Sequence, residues 1–139
     1  MIADVMLDTN IVAYAASHLP EDLAKKTIAV RLIAAEQIGL SGQVLQEFYV
    51  TVTRKMKTPL NHHEALDWLE ELEQFPCIPV DSSIVYQGAE NARNYQISYW
   101  DGAIIAAAHR LGAHTLYSED LNHGQKYGSV TVINPFKAA

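Results

Sequence analysis

The chain has 139 residues and a mass of 15.4 kDa, enough for one self-supporting core but too little for two. A hydrophobic content of 49% with 19% charged residues excludes a disordered or fibrous chain, and the single Cys77 excludes an internal disulfide or a cysteine zinc site. The formal net charge of −6 argues against a broad basic face for nucleic acid.

In chain order the pattern alternates strands with helices. Ile2 to Leu7 is an apolar run broken only by Asp4 and is expected to form the first strand. Asp8-Thr9-Asn10 supplies turn and helix-start chemistry, and Ile11 to Ala16, apolar on every side, predicts a helix that is buried or lies at an interface. Pro20-Glu21-Asp22 opens the next helix, with a main stripe of Ala24, Ile28, Leu32 and Ala35. Val30 and Ile33 fall off that stripe and suggest a partner surface. Ile38 to Leu40 reads as a short strand, and Ser41 caps a helix running to about Thr53.

Asn61 opens a helix with Ala65, Trp68, Leu69 and Leu72 at helical spacing. Cys77 to Val80 reads as a strand, with Cys77 as a small buried residue. Asp81 then caps a helix carrying Ile84, Val85, Ala89 and Ala92. Asp101 to Leu111 is helical and stops at Gly112; His114 to Tyr117 and Val130 to Ile133 are the last strands. Strands separated by helices imply an α/β sandwich with a parallel sheet covered on both faces. No apolar run reaches the roughly 18 residues of a membrane helix, and no basic leader or cleavage site is present, so a cytoplasmic protein without a membrane is expected.

Open α/β sheets bind ligands beyond the carboxyl ends of their strands. Asp8 ends the first strand, and Asp120 follows the His114 to Tyr117 strand, with Glu119 beside it. Glu47 is the one charged residue between Leu40 and Val52, and Asp101 heads a very apolar helix directly after Tyr99-Trp100. Each acid has an ordinary structural reading. Asp8 suits a helix cap, Ser98-x-x-Asp101 is a capping-box pattern, Glu47 suits a helix flank, and acids before Asn122-His123-Gly124 suit a turn. Their joint placement at one rim is what points to chemistry. Four carboxylates cannot share a cleft fully ionised without a counter-charge, and an oxygen-only donor set suits Mg²⁺ or Mn²⁺. The reaction class implied is metal-assisted phosphoester hydrolysis.

Val5-Met6-Leu7-Asp8-Thr9-Asn10, Gln46-Glu47-Phe48, Tyr99-Trp100-Asp101-Gly102-Ala103 through Ala108, and Leu116-Tyr117-Ser118-Glu119-Asp120-Leu121 together resemble a PIN domain. More narrowly the set resembles the VapC-type toxins of toxin–antitoxin pairs, over essentially the whole chain. The resemblance implies a Rossmann-like three-layer sandwich, a central mainly parallel sheet flanked by helices, in a single domain spanning residues 1–139. It implies a Mg²⁺- or Mn²⁺-dependent endoribonuclease with Asp8, Glu47, Asp101 and Asp120 as metal ligands, and Asn10 and Ser118 supporting them. Glu119 is an extra acid, assigned an outer role. The resemblance also implies an RNA substrate, a homodimer and a cognate antitoxin, with the Ile11 to Ala16 helix and the Val30 and Ile33 face as contact surfaces. A catalytically silent PIN-like interaction module and a stand-alone PIN nuclease without an antitoxin are the alternatives.

Arg54, Lys55 and Lys57 form the densest basic patch, suited to RNA phosphates or to a helix carboxyl end. Tyr99 and Trp100 are expected to pack the rim, and His62-His63 to lie on a solvated helix start, without zinc spacing. A haloacid-dehalogenase phosphatase also opens strand-Asp-x-Asp, but position 10 is Asn here. A phospho-receiver domain would need an acidic pair near its first strand and a lysine late in the sheet, and neither is evident here.

Overall fold

The computed structural model describes residues 2–137. Six strands form one sheet in the order β3-β2-β1-β4-β6-β5, all parallel except the edge strand β5. The strands are β1 (Val5–Leu7), β2 (Ile38–Ser41), β3 (Cys77–Ile78), β4 (Thr115–Tyr117), β5 (Lys126–Tyr127) and β6 (Val130–Ile133). The helices are α1 (Thr9–Ala16), α2 (Leu23–Ala35), α3 (Gly42–Val50), α4 (His62–Leu72), α5 (Ser82–Tyr95) and α6 (Tyr99–Leu111). This is the α/β three-layer arrangement that the resemblance implies.

The chain leaves β1 toward β2 and β3 on one side, then returns through α5 and α6 to place β4 on the other. The sheet order therefore reverses at β1, and the crevice for a ligand opens at the carboxyl ends of β1 and β4. In register, Val5, Met6 and Leu7 pair with Thr115, Leu116 and Tyr117. Asp8 and Ser118 consequently emerge side by side.

Local chemistry explains most boundaries. Ser41, Asn61, Asp81 and Ser98 each cap a helix through the side chain, and Asn61 with Glu64 completes a capping box. Gly112 ends α6 at φ 76°, a conformation that favours glycine. The first strand is shorter than its apolar run, because the Ile2 and Ala3 amides both donate to the Leu111 carbonyl instead of a strand neighbour. Likewise the third strand is only two residues long at the sheet's far edge, which leaves Cys77 exposed, not buried.

Several faces differ from the periodic reading. In α2 the fully buried residue is Ala29, while Ala24 and Ala35 lie outside, so the stripe is rotated from the expected one. Ile33 packs against the core, leaving only Val30 exposed on the suggested partner face. Helix α1 buries Ile11, Val12, Ala13, Ala15 and Ala16 within this chain, so these residues serve as core. On α5 the buried positions are Ile84, Gly88 and Asn91, with Val85 and Ala89 outside. Small residues at Gly88 and Gly102 let α5 and α6 touch backbone to backbone: a Cβ at Gly88 would stand 3.0 Å from the Ala103 Cα. The helix from Ser41 also changes character. After Val50 it widens into a π-helical turn, Thr51–Lys55.

Candidate active site

The β1–β4 crevice opens into a cleft of about 400 Å³. Asp8, Glu47, Asp101 and Asp120 all line it, with Asn10, Gln43, Thr51, Lys55 and Trp100 among the other walls. The four acids expected from the sequence thus meet in one place. They come from four separate segments: the end of β1, the middle of α3, the first turn of α6 and the loop after β4.

Asp8 is the innermost, only 6% exposed. Its Oδ1 accepts from the Thr9 amide at 2.8 Å, making Asp8 the cap of α1. Its Oδ2 accepts from the Ser118 hydroxyl at 2.8 Å. The structural and the chemical readings of Asp8 are therefore both realised by one side chain. Burial pushes its carboxyl up to about 6 despite those two hydrogen bonds, and the charges of Asp120 and Glu47 push the same way. Asp101 is also raised, by burial first and then by Asp120, with the Ser98 hydroxyl opposing.

Smaller groups hold the constellation in place. The Thr9 hydroxyl donates to Glu47 Oε1 at 3.0 Å, tying α1 to α3. Ser118, fully buried, accepts the Asp120 amide at 3.1 Å while donating to Asp8. Gln43, also buried, donates to the Trp100 carbonyl at 3.1 Å and fixes the start of α6 against α3. Asn10 Oδ1 accepts the Glu119 amide at 3.3 Å, and its Nδ2 is buried with no hydrogen-bond partner among the described residues. Thr9 and Gln43 escaped the sequence reading. An uncharged residue beside an acid carries no periodic or charge signal, and only the three-dimensional pairing reveals it.

Removing the Ser118 hydroxyl strips Asp8 of a hydrogen bond that favours its ionised form. Ser118→Ala should therefore raise the Asp8 carboxyl further and move the acid limb of a pH–rate profile upward by about one pH unit. A profile superimposable on wild type would show that Asp8 ionisation does not limit activity.

Other expected groups lie elsewhere. The Glu119 carboxylate points away from the cleft, where it pairs with Lys25 and accepts the Tyr14 hydroxyl at 2.8 Å. These contacts tie the loop carrying Asp120 to α1 and α2. Of the basic patch, only Lys55 lines the cleft. Arg54 is exposed outside it, and Lys57 stands 3.7 Å from Glu21 on the surface. Trp100 is 62% exposed at the cleft mouth, edge-on to Tyr99 at 5.1 Å, so it is less packed than expected. His62 does lie on a solvated helix start, bonded to the Tyr49 hydroxyl at 2.9 Å.

Whether these residues suit a divalent ion follows from their chemistry. The donors are all carboxylates, and among the described residues none of the four is in an ion pair with Lys or Arg. Burial first, and then the neighbouring charges of Asp120 and Glu47, hold the Asp8 carboxyl up. Among the described residues no three acids or histidines form a ready-made cage. The fit to an ion therefore rests on donor chemistry: an all-carboxylate set suits a hard ion that keeps several waters, as Mg²⁺ does.

No helix among the described residues is long and apolar enough to cross a membrane. No curated protein matches the sequence significantly. Among solved structures, the fold is similar to VapC20 of Mycobacterium tuberculosis, described as a sarcin–ricin loop cleaving toxin. The two are 20% identical, with a TM-score of 0.68, over 84% of this chain and 89% of that one. A toxin–antitoxin complex from Klebsiella pneumoniae matches at 18% identity and a TM-score of 0.72, covering 96% of this chain and 99% of that one. FitAcB from Neisseria gonorrhoeae matches at 23% identity and a TM-score of 0.62, covering 96% and 99%. The model of the PIN domain family matches residues 5–128, nearly the whole described chain, and the protein belongs to that family.

Proposed function

We propose that this PIN-domain protein is a Mg²⁺- or Mn²⁺-dependent endoribonuclease that hydrolyses RNA phosphodiester bonds and acts as the toxin of a toxin–antitoxin pair. The observation that carries the reading is the cleft itself: four carboxylates at the sheet's switch point, none of them in an ion pair among the described residues, and the deepest acid raised to about 6. The ligand set would be Asp8, Glu47, Asp101 and Asp120. A divalent ion bound there supplies an activated water and stabilises charge on a phosphoryl oxygen.

The chain's own groups do the positioning. The Thr9 amide and the Ser118 hydroxyl each hold one Asp8 oxygen, fixing the carboxylate at the cleft lining. The Thr9 hydroxyl orients Glu47, and the Ser118 hydroxyl steers Asp120 through its amide. Asn10 Nδ2 is a spare donor, suited to a water or a phosphate oxygen. No side-chain nucleophile is needed.

The toxin role is supported by the likeness to proteins described as toxins and as toxin–antitoxin complexes. A cognate antitoxin and a homodimer are part of the same proposal. Incubation with RNA should give cleavage in Mn²⁺ or Mg²⁺ that excess EDTA stops completely and fresh Mn²⁺ restores. Cleavage persisting in EDTA would exclude the metal mechanism, and no cleavage with either ion would favour a silent interaction module.

A further inference from the structure

The π-helical turn and Lys55, the one cation that lines the cleft among the described residues, are one feature. Helix α3 carries Glu47 on its cleft face and continues without a break into Thr51–Lys55. There the Met56 amide reaches back five residues to the Thr51 carbonyl at 3.0 Å, the hydrogen bond that widens the turn. In an unbroken α-helix Lys55, eight residues beyond Glu47, would stand about 80° around the axis from it. A turn of roughly 4.4 residues cuts that offset to about 10°. The widened turn thus brings Lys55 back into line with Glu47, and Lys55 lines the same cleft as the four acids.

Among the described residues Lys55 is the cation that lines the cleft, and it is in no ion pair there. Among the described residues Lys25 pairs with Glu119, Lys57 with Glu21 and Arg110 with Asp81, while Lys55 is exposed and in no ion pair. An ammonium held beside a carboxylate cluster, yet not neutralising it, suits an anion that enters the cleft together with the counter-ion. We propose that Lys55, carried onto the acidic wall by the π-turn, is a phosphate-binding residue that anchors the backbone of single-stranded RNA in the cleft. Arg54 and Lys57 flank it in sequence but lie outside. The inference rests on the ribonuclease reading for its substrate, and makes a claim about one residue that the reading does not require.

The test uses the full chain with Mn²⁺ and a fluorescent RNA of randomised sequence, read both by anisotropy and by cleavage. Lys55→Ala should raise KM about tenfold with a smaller change in kcat, and lower the salt dependence of RNA binding by about one phosphate contact. Lys55→Arg should restore most of the affinity. Arg54→Ala and Lys57→Ala, which remove the same charge, should stay within twofold of wild type. Equal losses in all three alanine variants would reduce Lys55 to general electrostatics and overturn the inference, as would an unchanged KM and salt slope in Lys55→Ala. Wild type that binds no RNA would overturn it outright. Binding that depends on Lys55 without any cleavage would uphold the contact and sink the nuclease reading instead.

Discussion

Replacing Asp8 by Asn should make the metal-free protein more stable at pH 7.5 while cutting RNA cleavage by at least about a hundredfold. The two effects have one cause. Asp8 is buried, and its carboxyl ionises near 6 in the fold against 3.8 for the free side chain. Keeping it charged at neutral pH therefore costs the folded state about 3 kcal/mol. Because the folded value lies above the unfolded one, the folded chain holds the extra proton between about pH 4 and 6. Asp8's contribution to stability is greatest below that window and is lost as pH rises through about 6.

An amide at position 8 escapes this penalty. Asn caps a helix about as well as Asp and still accepts the Thr9 amide. It pairs less well with Ser118, whose oxygen already accepts the Asp120 amide, so the net gain is about 2 kcal/mol. For a chain of this size that is a rise in Tm of several degrees. Below pH 4 the ionisation penalty is gone from both proteins, and the variant should melt slightly below wild type because the poorer Ser118 contact remains. Added Mn²⁺ should raise the Tm of wild type by mass action and leave the variant nearly unmoved. A variant that melts below wild type at pH 7.5, or one that still cleaves RNA, would remove Asp8 from the role given to it.

What the sequence discloses depends on how far apart the causes of a feature lie along the chain. Helix caps at Ser41, Asn61, Asp81 and Ser98 are set by residues three positions away, and all four are visible in advance. The acids are legible because a charge beside apolar runs, at strand ends or helix starts, is conspicuous. The burial faces of α2 and α5 are not. On those helices alanines and glycines decide which side faces inward, since Ala29 and Gly88 fit where larger apolar residues do not. Strand β5 is invisible for another reason: it is two residues, Lys126 and Tyr127, recruited by the turn at Gly128 with φ 64° and by the His109 side chain at 2.7 Å from the Tyr127 carbonyl.

The charge of −6 illustrates the same limit. Read as a total, it opposes a nucleic-acid partner, yet four of the sixteen acids line one cleft, and without them the balance is only −2. Placement decides the meaning of a charge. So too for Lys55, whose neighbours Arg54 and Lys57 look equivalent in the sequence until the π-turn separates them.

Gly102→Ala should destabilise the protein by about 2 kcal/mol or more, the reverse of what an exposed helix would show. In an open helix interior alanine is favoured over glycine by about 1 kcal/mol. Here a Cβ at position 102 would overlap the Gly88 carbonyl and stand 3.0 Å from the Ala92 amide, both backbone atoms that cannot rotate away. The helices must separate, and overpacking of this kind costs about 1–3 kcal/mol or more. Separation also strains the bond from Asn91 Nδ2 to the Gly102 carbonyl, 3.0 Å long and buried. Asp101 is the adjacent residue, in the first turn of α6, and it shifts with the helix. Cleavage per folded molecule should therefore fall several-fold in the variant, beyond the loss due to unfolding, while binding of the Lys55 side to RNA changes little. Denaturant unfolding gives the first quantity and activity at low temperature gives the second. A variant of equal or greater stability would mean that α5 and α6 are not in backbone contact, and that Asp101 is held by its Ser98 cap alone.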